Sequence, residues 1–245
     1  MISLRIKLYL NPGEYKNSVA LPIDFRSNFI SIIKNLTENS VISERFEKER
    51  PGYSPYVFSV NFADIFSIDD QNIVIKPPVI MTISSGKYEV ISTICNKAIN
   101  KKSQLISNSL DLYLKKIALP PLKKIKKARQ SFKIYSHAVF RGSNGYLNGS
   151  KMQELEEATN YHMLMHHQLL RTELDWADNS SLEPVEVDLS QTFLQKGVCL
   201  HYGGQLTTLQ GVIGLNGSPE SLQFLYDFGI GVRKGQGFGL LGVAR

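Results

Sequence analysis

The 245-residue sequence predicts an α+β protein made of two similar halves, and three observations carry that reading. Apolar residues alternate with polar ones from the first residues onward, helical stripes follow at regular intervals, and the order of these patterns in the first half returns, more loosely, in the second. At 42% hydrophobic residues the chain has material for substantial cores.

Ile2, Leu4, Ile6, Leu8 and Leu10 alternate with Ser3, Arg5, Lys7 and Tyr9, the period of a half-buried strand. Beyond a turn at Asn11-Pro12-Gly13, Asp24 is placed to cap a helix over 24–36. Its stripe is Phe25, Phe29, Ile32, Ile33 and Leu36. Val41 to Tyr53 is charged and reads as a short helix and a loop. Tyr56–Phe62 is a strand, with Tyr56, Phe58 and Phe62 as core residues. Ile73–Ile75 and Val79–Ile83 form one strand region broken by Pro77-Pro78. A helix over 89–100 and a strand over 105–110 complete the order strand, helix, strand, strand, helix, strand, which is the ferredoxin-like arrangement.

Leu119-Pro120-Pro121-Leu122-Lys123-Lys124 is the best linker signal and divides the chain into domains at 1–118 and 125–245. The second half offers a strand at 132–140, a helix at 153–170, an ambiguous stretch to Gln195 and a strand or hairpin over 198–215. Ser218-Pro219 starts a short helix, and a last strand covers 240–243. The fold expected is therefore two tandem ferredoxin-like domains.

Net charge is +6, and its distribution says more than its total. Between Lys97 and Lys133 eleven Lys or Arg face Asp111 as the single acid, so the remainder of the chain is slightly acidic. A concentrated basic footprint suits a polyanion. Lys123, Lys124, Lys126, Lys127 and Arg129 form its densest part and are candidate RNA-backbone contacts. No apolar run approaches membrane-spanning length, and the N-terminal alternation is unlike a secretion signal, so a cytoplasmic protein is expected. Cys95 and Cys199 have no metal-ligand spacing and suit a reducing compartment. His162 and His166 share a helix face, but Met163 stands where a metalloprotease has glutamate. Helix packing between domains is the expected role, with no metal and no cofactor. His137 and His201 lie where either can approach RNA across an interdomain cleft.

Residues 229–242, GIGVRKGQGFGLLG, contain six glycines. Such a chain brings backbone amides close to a ligand, and Arg233 and Lys234 add charge at its middle. A Walker loop needs Ser or Thr after the lysine, where Gly235 stands. A dinucleotide loop opens a helix, whereas this one follows a helix.

The pattern Gly229-Ile230-Gly231, Arg233, Gly235, Gly237-Phe238-Gly239-Leu240 near the C terminus resembles the signature of the CRISPR repeat-RNA endoribonucleases, within the repeat-associated superfamily with glycine-rich loops. Leu21-Pro22 before an apolar helix, Tyr56–Phe62 and Phe132–Arg141 are similar to further stretches of that family. The resemblance implies tandem ferredoxin-like domains that bind a CRISPR repeat hairpin. It also implies one cut per repeat by metal-independent 2′-hydroxyl attack, giving guide RNAs for an interference complex, with a homodimer left open. It would place Gly229, Gly231, Arg233, Lys234, Gly235, Gly237 and Gly239 against RNA backbone.

Many family members carry a histidine in or after the first helix, whereas Asp24 to Tyr53 contains none. Arg26, Arg45, Lys48 and Arg50 are the candidates to stabilise the extra charge on a phosphorane and to help protonate the leaving oxygen. A repeat-binding protein without nuclease activity and a structural subunit of a CRISPR ribonucleoprotein are the alternatives.

Overall fold

The computed structural model describes residues 4–13, 16–40, 42–43, 53–107, 109–121, 123–173 and 181–244. The described residues build two large antiparallel sheets. Strands β1 (Leu4–Pro12), β3 (Val57–Ile68), β4 (Asn72–Ser85) and β6 (Leu112–Ala118) lie in the order β3-β4-β1-β6. Short β2 (Val19–Pro22) also pairs with β4, and β5 (Leu105–Ser107) with β6. Helices α1 (Arg26–Thr37) and α2 (Tyr88–Asn100) connect them. The second sheet runs β10-β11-β7-β12, from β7 (Arg129–Ala138), β10 (Glu186–His201), β11 (Gly204–Asn216) and β12 (Leu241–Val243). Its helices are α3 (Met152–Glu173) and α4 (Pro219–Phe228). In both sheets the first strand lies between the third and the fourth, so each half is ferredoxin-like.

The apolar stripes do what their spacing requires. Phe29, Ile32, Ile33 and Leu36 of α1 pack with Ile6, Leu8 and Leu10 of β1 in one core. Phe132 and Ile134 of β7 pack with Leu222, Leu225 and Phe228 of α4 in the other. Ser218 caps α4, its hydroxyl accepting from the amide of Ser221 at 3.3 Å.

Several expectations change in detail. Pro77-Pro78 does not break the strand. β1 pairs with β4 only as far as Val79 and β2 starts at Ile75, so the prolines fall between two partners, where no N–H is needed. The strand expected at 105–110 is present as the short β5, and the strand that pairs with β1 is β6 at 112–118. Leu112 and Leu114 face inward while Lys115 and Lys116 point out. Between the expected strand and helix, residues 141–146 form a small hairpin of β8 (Arg141–Gly142) and β9 (Gly145–Tyr146). From Glu186 onward the ambiguous stretch to Gln195 belongs to the long strand β10. Asp24 does not cap α1: the cap position is Phe25, and the Asp24 carboxylate reaches into the other half of the protein. Most of Val41–Tyr53, including Arg45, Lys48 and Arg50, lies outside the described residues.

Candidate functional site

Glycine places the C-terminal loop in the seam between the two sheets. Gly229, Gly231, Gly237 and Gly239 all have positive φ. A Cβ on Gly231 would lie 2.2 Å from the Val139 carbonyl oxygen, and one on Gly235 would lie 1.9 Å from Ser54 Oγ. The amides are largely used within the protein: Gly229 donates to Leu225 O, Gly237 to Lys234 O and Gly239 to His137 O. Val232 likewise donates to Val139 O. The open main-chain turn expected from the sequence is instead a packed element, because β3, α1 and β7 close over it.

Lys234 shows the same inward turn. Only 3% exposed, its ammonium donates to His166 Nδ1 at 2.6 Å and lies 5.2 Å from the centroid of the Tyr53 ring. Burial holds its pKa down to about 7. The Tyr53 ring stacks on His166, centroids 5.1 Å apart, and its hydroxyl donates to His162 Nδ1 at 2.6 Å. That direction follows from the other ring nitrogen, since His162 Nε2 lies 2.8 Å from the Arg141 carbonyl, which can only accept. The histidines thus pack between the halves, and no metal-binding group of His, Cys, Asp and Glu occurs among the described residues. Arg233 stays partly exposed, bonded to Gln236 and to the Tyr146 hydroxyl.

A second interdomain network starts at Asp24. Its Oδ2 accepts from the Tyr202 amide at 2.6 Å, and Oδ1 lies 3.3 Å from His201 Nδ1. His201 Nε2 meets Gln236 Oε1 at 3.0 Å. Burial lowers the His201 pKa, outweighing Gln236 and Asp24, which pull it up. Nearby, Arg5 donates to the Tyr226 carbonyl and lies 3.6 Å over that ring, joining β1 to α4.

Between the sheets lies a cleft of about 630 Å³, lined by Lys7, Asn61 and Thr82 on one side and by Lys133, Tyr135, Gln195 and Gln210 on the other. At Asn61 and Ser136 it meets a second cavity of about 490 Å³ that contains Arg26 and His137. Arg26 is positioned by two rings, 4.6 Å from the Phe238 centroid and 4.8 Å from that of Phe25, and it donates to Ser136 Oγ at 3.2 Å. Burial lowers its pKa, opposed by Cys199 and Asp24. His137 bonds Thr208 Oγ1 at 2.9 Å, and burial together with the charge of Arg26 holds it down to about 4. It is therefore a neutral imidazole at pH 7.

Lys123, Lys124, Lys126 and Lys127 are exposed around buried Ile125. That residue's amide donates to Gln223 Oε1 at 2.7 Å, which pins the connection to α4 and turns the lysines outward. Arg129 is committed to Asp188 and Ser190. Sequence reasoning missed Lys7, Lys133, Gln195 and Gln210. Lys7 and Lys133 are outward members of alternating strands, Gln195 and Gln210 pair across β10 and β11, and only the facing of two sheets brings them together. No described helix is long and apolar enough to cross a membrane.

Residues 119–243 match the family described as CRISPR associated protein Cas6, C-terminal. A search of curated proteins finds no match. Among solved structures, the fold is similar to that of a Cas6-related protein from Pyrococcus furiosus, with TM-score 0.78, 20% identity and 99% of each chain covered. It is also similar to a RAMP protein described as binding different RNA substrates, with TM-score 0.76, 18% identity, and 99% of this chain and 100% of that one covered. A Thermus thermophilus Cas6 gives 0.54 at 13% identity, covering 99% and 98%. The tandem sheets, the buried glycine-rich loop and the family match over half the sequence agree: the chain belongs to the Cas6 family of CRISPR-associated proteins, whose general role is RNA binding and processing.

Proposed function

We propose that the chain binds CRISPR repeat RNA with the backbone in the cleft between its two sheets, and cuts each repeat once by metal-independent attack of a 2′-hydroxyl. The cleft carries this reading. It sets Lys7 against Lys133, adds amide side chains that both donate and accept, and joins the cavity of Arg26. Lysines supply the sequence-independent attraction to phosphates, and amides suit base edges and ribose hydroxyls. The exposed lysines 123, 124, 126 and 127, with Arg129, extend the basic surface, and Arg233 is the cation of the glycine-rich loop that RNA can still reach. Gly229, Gly231, Gly235, Gly237 and Gly239 serve this site by fixing the seam, and Lys234 by latching it.

In the cleavage step the 2′-oxygen forms a bond to phosphorus as the bond from phosphorus to the 5′-oxygen breaks. A 2′,3′-cyclic phosphate and a 5′-hydroxyl remain. The 2′-hydroxyl proton passes to solvent water and the leaving oxygen takes one from it. The protein's part is to hold the attack in line and to stabilise negative charge on the phosphorane, the role given to Arg26 with Arg45, Lys48 and Arg50.

A second reading, repeat binding without cutting, is favoured by the sequence of residues 24–53, which holds no histidine to act as general base. Repeat RNA from the same genome, incubated with excess protein and a metal chelator, separates the two. A single cut ending in a cyclic phosphate, abolished by 2′-deoxy substitution at that nucleotide, supports cleavage. Intact RNA in a saturated complex supports binding alone, and no complex at all removes both.

A further inference from the structure

The cavity beside Arg26 combines features that a backbone groove does not need. Its volume of about 490 Å³ suits one nucleotide and is too small for a helix. Ile65, Ile68 and Val198 line it while being 46%, 61% and 57% exposed, so aliphatic walls from both halves of the protein stand uncovered around one opening. Such walls match the flat apolar faces of a nucleobase.

The deeper surface is polar. Arg26 has no carboxylate within salt-bridge distance among the described residues, and its plane is fixed by the rings that clasp it. Asn61 Nδ2 donates to Ser59 Oγ at 2.9 Å, which fixes the amide and leaves Oδ1 as an acceptor. His137 uses Nδ1 on Thr208, so Nε2 has no hydrogen-bond partner among the described residues.

The backbone is shaped for this arrangement. Ser136 has φ of 67°, and the pairing of β7 with β11 shifts register between Leu209 and Gly211, opposite this stretch. Neighbouring residues of a regular strand face opposite sides, but this irregularity lets Ser136 and His137 line one cavity. Gly197 completes the seat: a Cβ there would lie 3.1 Å from the His137 ring.

We propose that this cavity captures one unpaired nucleobase of the bound RNA, turned out of the strand in the cleft and read at its edge by Arg26, Asn61 and His137. Because Arg26 only donates, the base that fits presents acceptors where it meets the guanidinium. The proposal rests on the RNA-binding reading above and holds with or without cleavage.

The test is abasic scanning of the repeat RNA, one position at a time, by competition binding to the full chain. One unpaired position should lose roughly tenfold or more in affinity while the other unpaired positions lose much less. Val198→Phe, a change at an exposed position that fills the opening, should weaken the intact repeat by a similar factor. It should also erase the penalty at that one abasic position. 2-Aminopurine placed there should change fluorescence on binding to the original protein and not to the variant. Equal small losses at every position overturn the proposal, as does a sensitive position that Val198→Phe leaves unchanged. Failure of the intact repeat to bind removes the RNA-binding reading itself, and the proposal with it.

Discussion

Lys234→Met is expected to remove a rise in stability that the protein shows above neutral pH. The folded value is held down to about 7, whereas the unfolded lysine titrates near 10.5. Between these limits the unfolded chain binds the extra proton, so stability increases with pH; below 7 both states are charged and the burial cost is fully present. From pH 7 to about pH 9 the folded ammonium goes from half charged to almost wholly neutral, while the unfolded one stays charged. Linkage makes that worth ~2 kcal/mol, and at 3% exposure no solvent discount applies. For a chain of this length, melting temperature should rise by roughly 4 to 8 °C relative to the variant. Tyr53, raised to about 12, contributes with the opposite sign only at higher pH, above the unfolded tyrosine value. Losing the contact to His166 Nδ1 offsets the variant's stability by an amount that does not enter the slope. The assay is thermal unfolding by circular dichroism across this range for both proteins. A pH slope that is the same in both would refute the burial of a titrating Lys234 in the seam.

Gly231→Ala combines a φ of +74° with a Cβ 2.2 Å from Val139 O, and should cost ~2–4 kcal/mol in denaturant unfolding. Gly145→Ala, at φ +115° with nothing within 4 Å, carries strain without the clash and should cost less. On the acid side, His137 is held at about 4 against 6.5, so the folded state resists protonation and stability falls as pH drops through that window. His137→Gln should reduce this fall by ~1–2 kcal/mol, after discounting for partial exposure, as measured by urea midpoints at several acid pH values.

Much of this architecture is legible in the sequence where local pattern and tertiary demand agree. The alternation in β1 and the Ser218-Pro219 start of α4 appear as expected, because one face and one cap settle each. The first sheet's last strand is hidden because Lys115 and Lys116 mask the alternation of Leu112 and Leu114, and lysine is tolerated on the outward face. Pro77-Pro78 looks like a break because sequence alone does not show that β1 has ended and β2 not yet begun on that edge. Lys234 beside glycine suggests a phosphate ligand. Its burial comes from His166 and Tyr53, far away in the chain, and from no local signal. The same holds for the cleft: Lys7 and Lys133 are ordinary outward residues until two sheets face one another.

The salt dependence of repeat-RNA affinity bears most directly on where the backbone lies. Log affinity against log salt should fall less steeply for Lys7→Met/Lys133→Met than for the original protein, the slope shrinking by ~1.5 for two lost phosphate contacts. An unchanged slope, with the double variant folded and binding as before, would place the RNA outside the cleft and contradict the account.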